Sequence, residues 1–375
     1  MLKGINLTLM IGPAVPVPVP KDVLDALTSV QVNTSTQGPS GFELQFTLSN
    51  KSPLHTIFLL SGGSLPPIMR VVIVVTINGT PEVLIDGVMT EHNVTPGNES
   101  GQATLTVRGV DLTAVMNLID LSGLPYPAMP PEARVALALL KYAFLGVIPL
   151  VIPSVLIDVP IPIDRIPVHT GTDYAYITAL ADEVGYVFYL EPGPTPGTSV
   201  AYWGPEIKVG APQPALNINM DAHTNVESLQ FSFDSERKEL PLLLILNPQT
   251  HVPIAIPIPD ITPLNPPLGL IPPTPKKINW IDGTAKYSPI RAALIGLAKA
   301  AKTADAVTAR GALDVLRYGR ILKARKLVGV RGAGPAFDGL YYVNSVTHSI
   351  KRNEYKQSFT LGRNGLLSTL SKVPA

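Results

Sequence analysis

Metal ligation and proton transfer favour histidine, and the six in this chain stand at His55, His92, His169, His223, His251 and His348. None has the His-Glu-x-x-His spacing that turns two imidazoles toward one ion, and no paired carboxylates accompany them. Asp221-Ala222-His223 would put two polar groups on one face of a strand, but such a pair usually flanks a turn. No Gly-x-Ser-x-Gly elbow is present to raise a serine nucleophile. Ser61-Gly62-Gly63-Ser64 lacks the lysine of a phosphate loop and runs into Leu65-Pro66-Pro67 rather than a helix. Gly329, Gly332 and Gly334 precede a hairpin, so they do not open a dinucleotide-binding helix. The chain has no cysteine, which removes disulfides, thiolate metal sites and a cysteine nucleophile. No catalytic, cofactor-binding or metal-binding residue is assigned, and the chain reads as a non-enzyme.

Charge adds one local feature. Lys286, Arg291, Lys299, Lys302, Arg310, Arg317, Arg320, Lys323, Arg325, Lys326 and Arg331 are offset nearby only by Asp282, Asp305 and Asp314. A solvated helical face and a contact with an acidic partner ring both account for this cluster. Nucleic acid is disfavoured, because the cluster has little aromatic interleaving beyond Tyr318 and the net charge is only +1. With 15% charged residues and a mean hydropathy of +0.26, the chain is apolar, which implies either membrane insertion or wide buried interfaces. The uncharged run 142–157 is shorter than the roughly 18 to 20 residues of a span, and Pro149 and Pro153 interrupt it. No membrane span is expected. The amino terminus lacks the clean apolar core of a signal peptide.

The elements that must carry any function are strands. From Phe337 to Arg363 the sequence alternates with period two, and Leu340, Tyr342, Val346, His348 and Ile350 share a face. Lys351 to Glu354 forms a polar turn, and Tyr355, Gln357, Phe359 and Leu361 mark the returning strand. Val83 to Gly109 has the same outline. Val88-Met89-Thr90-Glu91-His92 echoes Ser345-Val346-Thr347-His348, and Leu105 to Arg108 echoes Phe359 to Arg363. A second echo sits upstream of each hairpin, where Ala26 to Asn33 resembles Asn225 to Ser232. The pattern suggests two copies of one β module, the second split by a long insertion.

Between them, Asn78-Gly79 signals a tight hairpin, 110–118 a short helix, and Glu132 to Leu145 a longer one. Thr172 is placed to cap a helix that Gly185 ends, with a strand over Tyr186 to Leu190. Prolines crowd 241–275, which reads as extended polyproline-like chain and not as a central strand. Alanine-rich sequence after Ser288 reads as helices over 289–302 and 304–318.

The segment from Thr172 to Leu190, followed by Ala201 to Gly210 and Ala215 to Asp234, resembles phage late control protein D and the hub portion of VgrG spike proteins. The stretches 310–332 and 339–363 are similar to that family's closing helix and hairpin. The likeness is good over 165–237 and 305–365 and weaker over 20–118. It implies an α+β, predominantly β chain with two tube-like β-barrels, a small α/β domain and a helical, proline-rich insertion. The boundaries expected are 1–118 for the first barrel and 119–204 for the α/β domain. The split second barrel takes 205–237 and 327–367, and the insertion 238–326.

The resemblance further implies the central hub of a contractile tail or injection-system baseplate, a homotrimer that adapts a hexameric inner tube to a three-fold spike. The chain ends at Ala375 with no room for a needle, so the expectation is a separate spike polypeptide, with baseplate wedge proteins around the hub. Such a hub would be made in the cytoplasm without a signal peptide and assembled into a phage-tail-like particle, with no cofactor. Thr90, His92, Thr347 and His348 near the hairpin ends, together with Arg363, are the candidate interface residues. The alternatives are a β-rich carbohydrate- or surface-binding module, for which Trp203 and Trp280 are the tryptophans available, and a baseplate peptidoglycan hydrolase.

Overall fold

The computed structural model describes residues 5–13, 15–49, 52, 54, 68–97, 102–154, 166–246, 253–257, 265–281, 296, 300 and 304–373. The chain begins with β1 (Ile5–Gly12), β2 (Val17–Pro18), α1 (Lys21–Ala26), β3 (Leu27–Ser35), β4 (Gly41–Ser49), β5 (Arg70–Ile77), β6 (Thr80–Pro96), β7 (Gln102–Asp111) and α2 (Thr113–Met116). Next come α3 (Pro131–Leu140), β8 (Val147–Val151), α4 (Asp173–Val184), β9 (Tyr186–Pro192) and β10 (Ser199–Pro205). The remainder contains β11 (Gln213–Asn217), β12 (Ser228–Phe233), β13 (Glu239–Leu246), β14 (Pro253–Pro257), β15 (Gly269–Ile271), β16 (Lys277–Ile281) and β17 (Val307–Asp314). It closes with α5 (Val315–Tyr318), β18 (Leu327–Arg331), β19 (Gly339–Lys351), β20 (Glu354–Arg363) and β21 (Leu366–Ser368).

Thirteen strands form one sheet, and its order contains a repeat. Strands β1, β3, β4, β5, β6 and β7 lie side by side as β3-β4-β7-β6-β5-β1. Strands β11, β12, β17, β18, β19 and β20 lie as β12-β17-β20-β19-β18-β11. Chain order and neighbour order therefore match strand for strand in two six-strand units. The outermost pair differs, because β1 runs antiparallel to β5 whereas β11 runs parallel to β18. No closed barrel forms among the described residues.

The long strand of each unit carries a bulge against its hairpin partner, between Met89 and Glu91 on β6 and between Val343 and Ser345 on β19. Superposing the bulges makes Thr90 the counterpart of Asn344. The hairpin echo read from sequence, which set Thr90 against Thr347, is therefore displaced by three residues. Following the ladders outward brings Gln31 of β3 onto Gln230 of β12. That agrees with the upstream echo.

The units join edge to edge. The outer half of β19 pairs with β3 from Ser345↔Ser35 to Lys351↔Ser29. One apolar core runs beneath both, containing Val30, Val32, Leu44, Phe46, Ile73 and Leu105 from the first unit and Val307, Val328, Tyr341, Val343 and Phe359 from the second. The β-branched run of β5, RVVIVVTI, suits a strand buried almost throughout. Each such side chain contributes about 1.5–3 kcal/mol on burial.

A second core underlies the segment between the units. It packs α3 and α4 against β8, β9 and β10, around Trp203, Ile177, Leu139 and Val135. Thr172 caps α4 through its Oγ1 and Gly185 closes it at φ 74°, as the sequence implies. Asn78 and Gly79, at φ 49° and 84°, turn β5 into β6.

Two local expectations are corrected. The alanine-rich stretch 304–318 forms strand β17 and only then the short helix α5. Its buried Val307, Ala309 and Leu313 share one face of a period-two strand, and pairing with both β12 and β20 overrides alanine's helical preference. The sheet is thus re-entered at Val307, inside the stretch assigned to the insertion. Pro241 lies in β13, the middle strand of a three-stranded sheet. There Pro241 pairs with Asn279 of β16, and the described part of β14 pairs from Leu242 onward. The expectations for 61–64 and, apart from residues 296 and 300, for 289–302, and parts of 142–157 and 241–275, fall outside the described residues.

Candidate interface elements

The junction between β19 and β3 has two chemically distinct faces. On one, Val346, His348 and Ile350 stand opposite Thr34, Val32 and Val30 and face the core. On the other, Ser345, Thr347 and Ser349 stand opposite Ser35, Asn33 and Gln31, a wholly polar strip. Thr347 Oγ1 donates to Asn33 Oδ1 at 3.2 Å across this strip. Alternation along two antiparallel strands produces the division without any special residue.

The candidate residues fall into different environments. Thr90 and His92 are exposed on the outer half of β6, where every residue from Thr90 to Pro96 is exposed. Thr347 is half-buried on the polar strip. His348 is 5% exposed, with Nδ1 2.8 Å from the Tyr355 hydroxyl, and burial pushes its pKa down to about 4. Arg363 is fully buried; it donates to the Ala336 and Asp338 carbonyls at 2.7 and 2.9 Å and stacks over the Tyr341 ring at 4.6 Å. His348 and Arg363 therefore spend their polar atoms inside this chain, and only Thr90, His92 and Thr347 offer side-chain surface.

The basic cluster is also partly internal. Lys323 Nζ meets Glu82 at 2.6 Å, and Arg325 donates to the Ser35 carbonyl at 2.6 Å while lying 3.9 Å over the Tyr189 ring. The contacts to Glu82 and Ser35 link the second unit to the first, and the one to Tyr189 links it to the second core. Lys208, 3% exposed, sits 3.1 Å from Asp305 and 5.3 Å over the Tyr342 ring. Burial alone would lower its pKa, but Asp305 and Glu206 hold it above the usual lysine value. Arg310, Arg317, Arg320 and Lys326 remain exposed.

Arg70 fastens the first unit to the second core. Its guanidinium grips Asp86 at 2.7 and 2.6 Å and donates to the carbonyls of Leu145 and Gly197 at 2.8 and 2.9 Å. Burial raises the Asp86 pKa, and the Arg70 hydrogen bonds oppose that rise. Nothing in the sequence marks this pair, since its spacing of 16 residues has meaning only across a hairpin. His169, likewise buried, meets the Tyr126 hydroxyl at 3.0 Å and Asp173 at 3.6 Å, and burial lowers its pKa. No group of three or more His, Asp or Glu placed to hold a metal occurs among the described residues. No helix among them is long and apolar enough to cross a membrane.

No family model and no curated protein matches the sequence. Solved structures do. The tail protein of Neisseria meningitidis MC58 is similar over 97% of this chain and 98% of its own, with a TM-score of 0.62 and 16% identity. The fold is that of this tail protein. The 43 kDa tail protein of Shewanella oneidensis prophage MuSo2 gives a TM-score of 0.61 at 13% identity, over 96% of this chain and 98% of its own. A chain of the Francisella PdpA-VgrG complex gives 0.63 at 9% identity, matching all of this chain and 55% of its own length. At these identities the likeness is one of fold.

Proposed function

We propose that the chain is a non-enzymatic central hub of a phage-tail-like baseplate, acting as a homotrimer between a hexameric inner tube and a three-fold spike. The repeat of six strands carries this reading. Two equivalent units per chain allow three chains to present six equivalent units to a tube ring, which a single unit in a trimer cannot do. Each unit would serve as one tube-like barrel, completed in the assembly. A three-fold spike would seat on the face away from the tube, and wedge proteins would surround the hub.

Exposed apolar side chains support wide contacts. Phe144, Leu140, Ile148 and Leu150, between 45% and 70% exposed, cluster in sequence around α3 and β8. Surface of this kind is ordinarily covered in an obligate assembly. Axial load would then pass from tube to spike through continuous ladders and these packed faces. Mass photometry of the chain alone, then with its tube protein, tests the reading. Three copies alone, and three copies capping six, are expected. A monomer at micromolar concentration, or a one-to-one stoichiometry with the tube protein, refutes it.

A further inference from the structure

The chain uses only part of its basic cluster internally, and two of the unused cations share a groove. The groove, of about 750 Å³, opens where the two units meet. Ile77, Asn78, Thr80 and Glu82 of the first unit form one wall, and 211–214 with parts of 319–326 form the other. Three cations line it, Arg320, Lys323 and Lys326, against a single acid, Glu82. Lys323 is already engaged. Its Nζ meets Glu82 at 2.6 Å, its backbone N–H donates to Gln213 Oε1 at 2.8 Å, and its carbonyl accepts from Gln213 Nε2 at 2.9 Å. Arg320 and Lys326 are exposed, and their side chains have no hydrogen-bond or ion-pair partner among the described residues. We propose that this groove binds an acidic peptide segment of a partner protein, with Arg320 and Lys326 pairing its carboxylates.

Charge selects an anion. The whole chain carries a net charge of only +1, so the local excess is not a by-product of a basic protein. Cations gathered on one wall repel one another, and an incoming carboxylate relieves that repulsion. The lining then selects peptide over nucleotide. No aromatic side chain lines the groove, so a base has nothing on which to stack. Pro212 and Pro214 also lack the backbone N–H groups from which a phosphate cradle is built. What the walls do offer is aliphatic surface from Ile77, Ile321 and the two prolines, which suits the stems of peptide side chains. The Arg320 guanidinium can grip a carboxylate through two parallel hydrogen bonds, and Lys326 adds a compact point charge. The volume falls within the roughly 300–1,000 Å³ of ordinary ligand sites.

Because the two walls belong to different units, a bound peptide bridges them and reinforces the tie that Lys323 makes to Glu82. The site needs one folded chain and holds for any number of copies, so a wild type that fails to form trimers leaves it standing.

Fluorescence anisotropy of a fluorescein-labelled, carboxy-amidated oligoglutamate peptide, titrated with full-length chain at about 50 mM salt, tests the proposal. Saturable binding that weakens as salt is added is expected. Arg320→Glu with Lys326→Glu should weaken it by about tenfold or more, the loss of at least one charge-assisted hydrogen bond. Lys351→Glu with Arg352→Glu makes the same change in charge on the β19–β20 turn and should alter binding by less than about twofold. No saturable binding to wild type, or equal losses in the two double variants, overturns the proposal. A labelled oligothymidylate that binds as tightly as the peptide overturns it in favour of nucleic acid. A second readout needs no variant. Carbodiimide coupling joins a glutamate carboxylate to a lysine amine with loss of water, and peptide mapping of coupled wild type should find Lys326 labelled ahead of Lys351. Labelling led by Lys351, or spread evenly over the lysines, refutes the site.

Discussion

Arg70→Ala puts a number on the link between the first β unit and the second core. The side chain is 3% exposed, and the Asp86 carboxylate it holds is 0% exposed. Removing the guanidinium leaves that carboxylate buried with no counter-ion and strips partners from the Leu145 and Gly197 carbonyls. Breaking a buried pair on one side costs about 3–5 kcal/mol. Replacing both members with apolar residues of similar size is often close to neutral. The expectation is therefore a ranking. Arg70→Ala destabilises by about 3 kcal/mol or more, and Arg70→Met with Asp86→Leu loses less than the single variant. Urea unfolding followed by fluorescence reports it, because Trp203 is fully buried in the second core, edge-on to Tyr186 at 4.9 Å. A single variant within 1 kcal/mol of wild type, or a double variant less stable than the single one, would refute this account.

Burial holds the folded His348 pKa near 4, against 6.5 for the free side chain, so the unfolded chain binds more protons between those values. Stability should fall as pH drops below about 6.5, at roughly 1.4 kcal/mol per unit, and His348→Gln should flatten that slope in parallel pH titrations of the unfolding midpoint. A Cβ on Gly311 would lie 2.5 Å from the Ser228 carbonyl oxygen and 2.7 Å from Phe359 Cζ. Gly311→Ala should cost about 1–3 kcal/mol, with hydrogen exchange accelerated first in β12 and β17. Thr172→Ala removes the α4 cap and the 2.8 Å hydrogen bond to Asn117, and should lower stability by about 1 kcal/mol in thermal unfolding. Cap loss confined to α4 should leave exchange in the large sheet unchanged.

The amino-acid sequence by itself determined the elements whose signal is local. Thr172 and Gly185 bracket α4, Asn78-Gly79 turns β5 into β6, and period-two alternation marks β19 and β20, although the bulge at Asn344 puts Tyr341 and Val343, instead of Leu340 and Tyr342, in one core with Val346 and Ile350. It also aligned β3 with β12, because a strand's polar and apolar faces are written in consecutive residues. Where tertiary pairing outweighed local preference, the sequence misled: Ala309 and Ala312 suggest helix, yet two flanking strands hold them extended. The true hairpin register lay out of sight, since a bulge is defined by what stands opposite, and opposite residues are remote in the chain. For the same reason only the folded molecule revealed that His348 and Arg363 are interior while Thr90 and His92 are not. Alternation tells which residues share a face. Which faces and edges a neighbouring strand then covers is settled by long-range pairing, and that decided where the open edges of this protein lie.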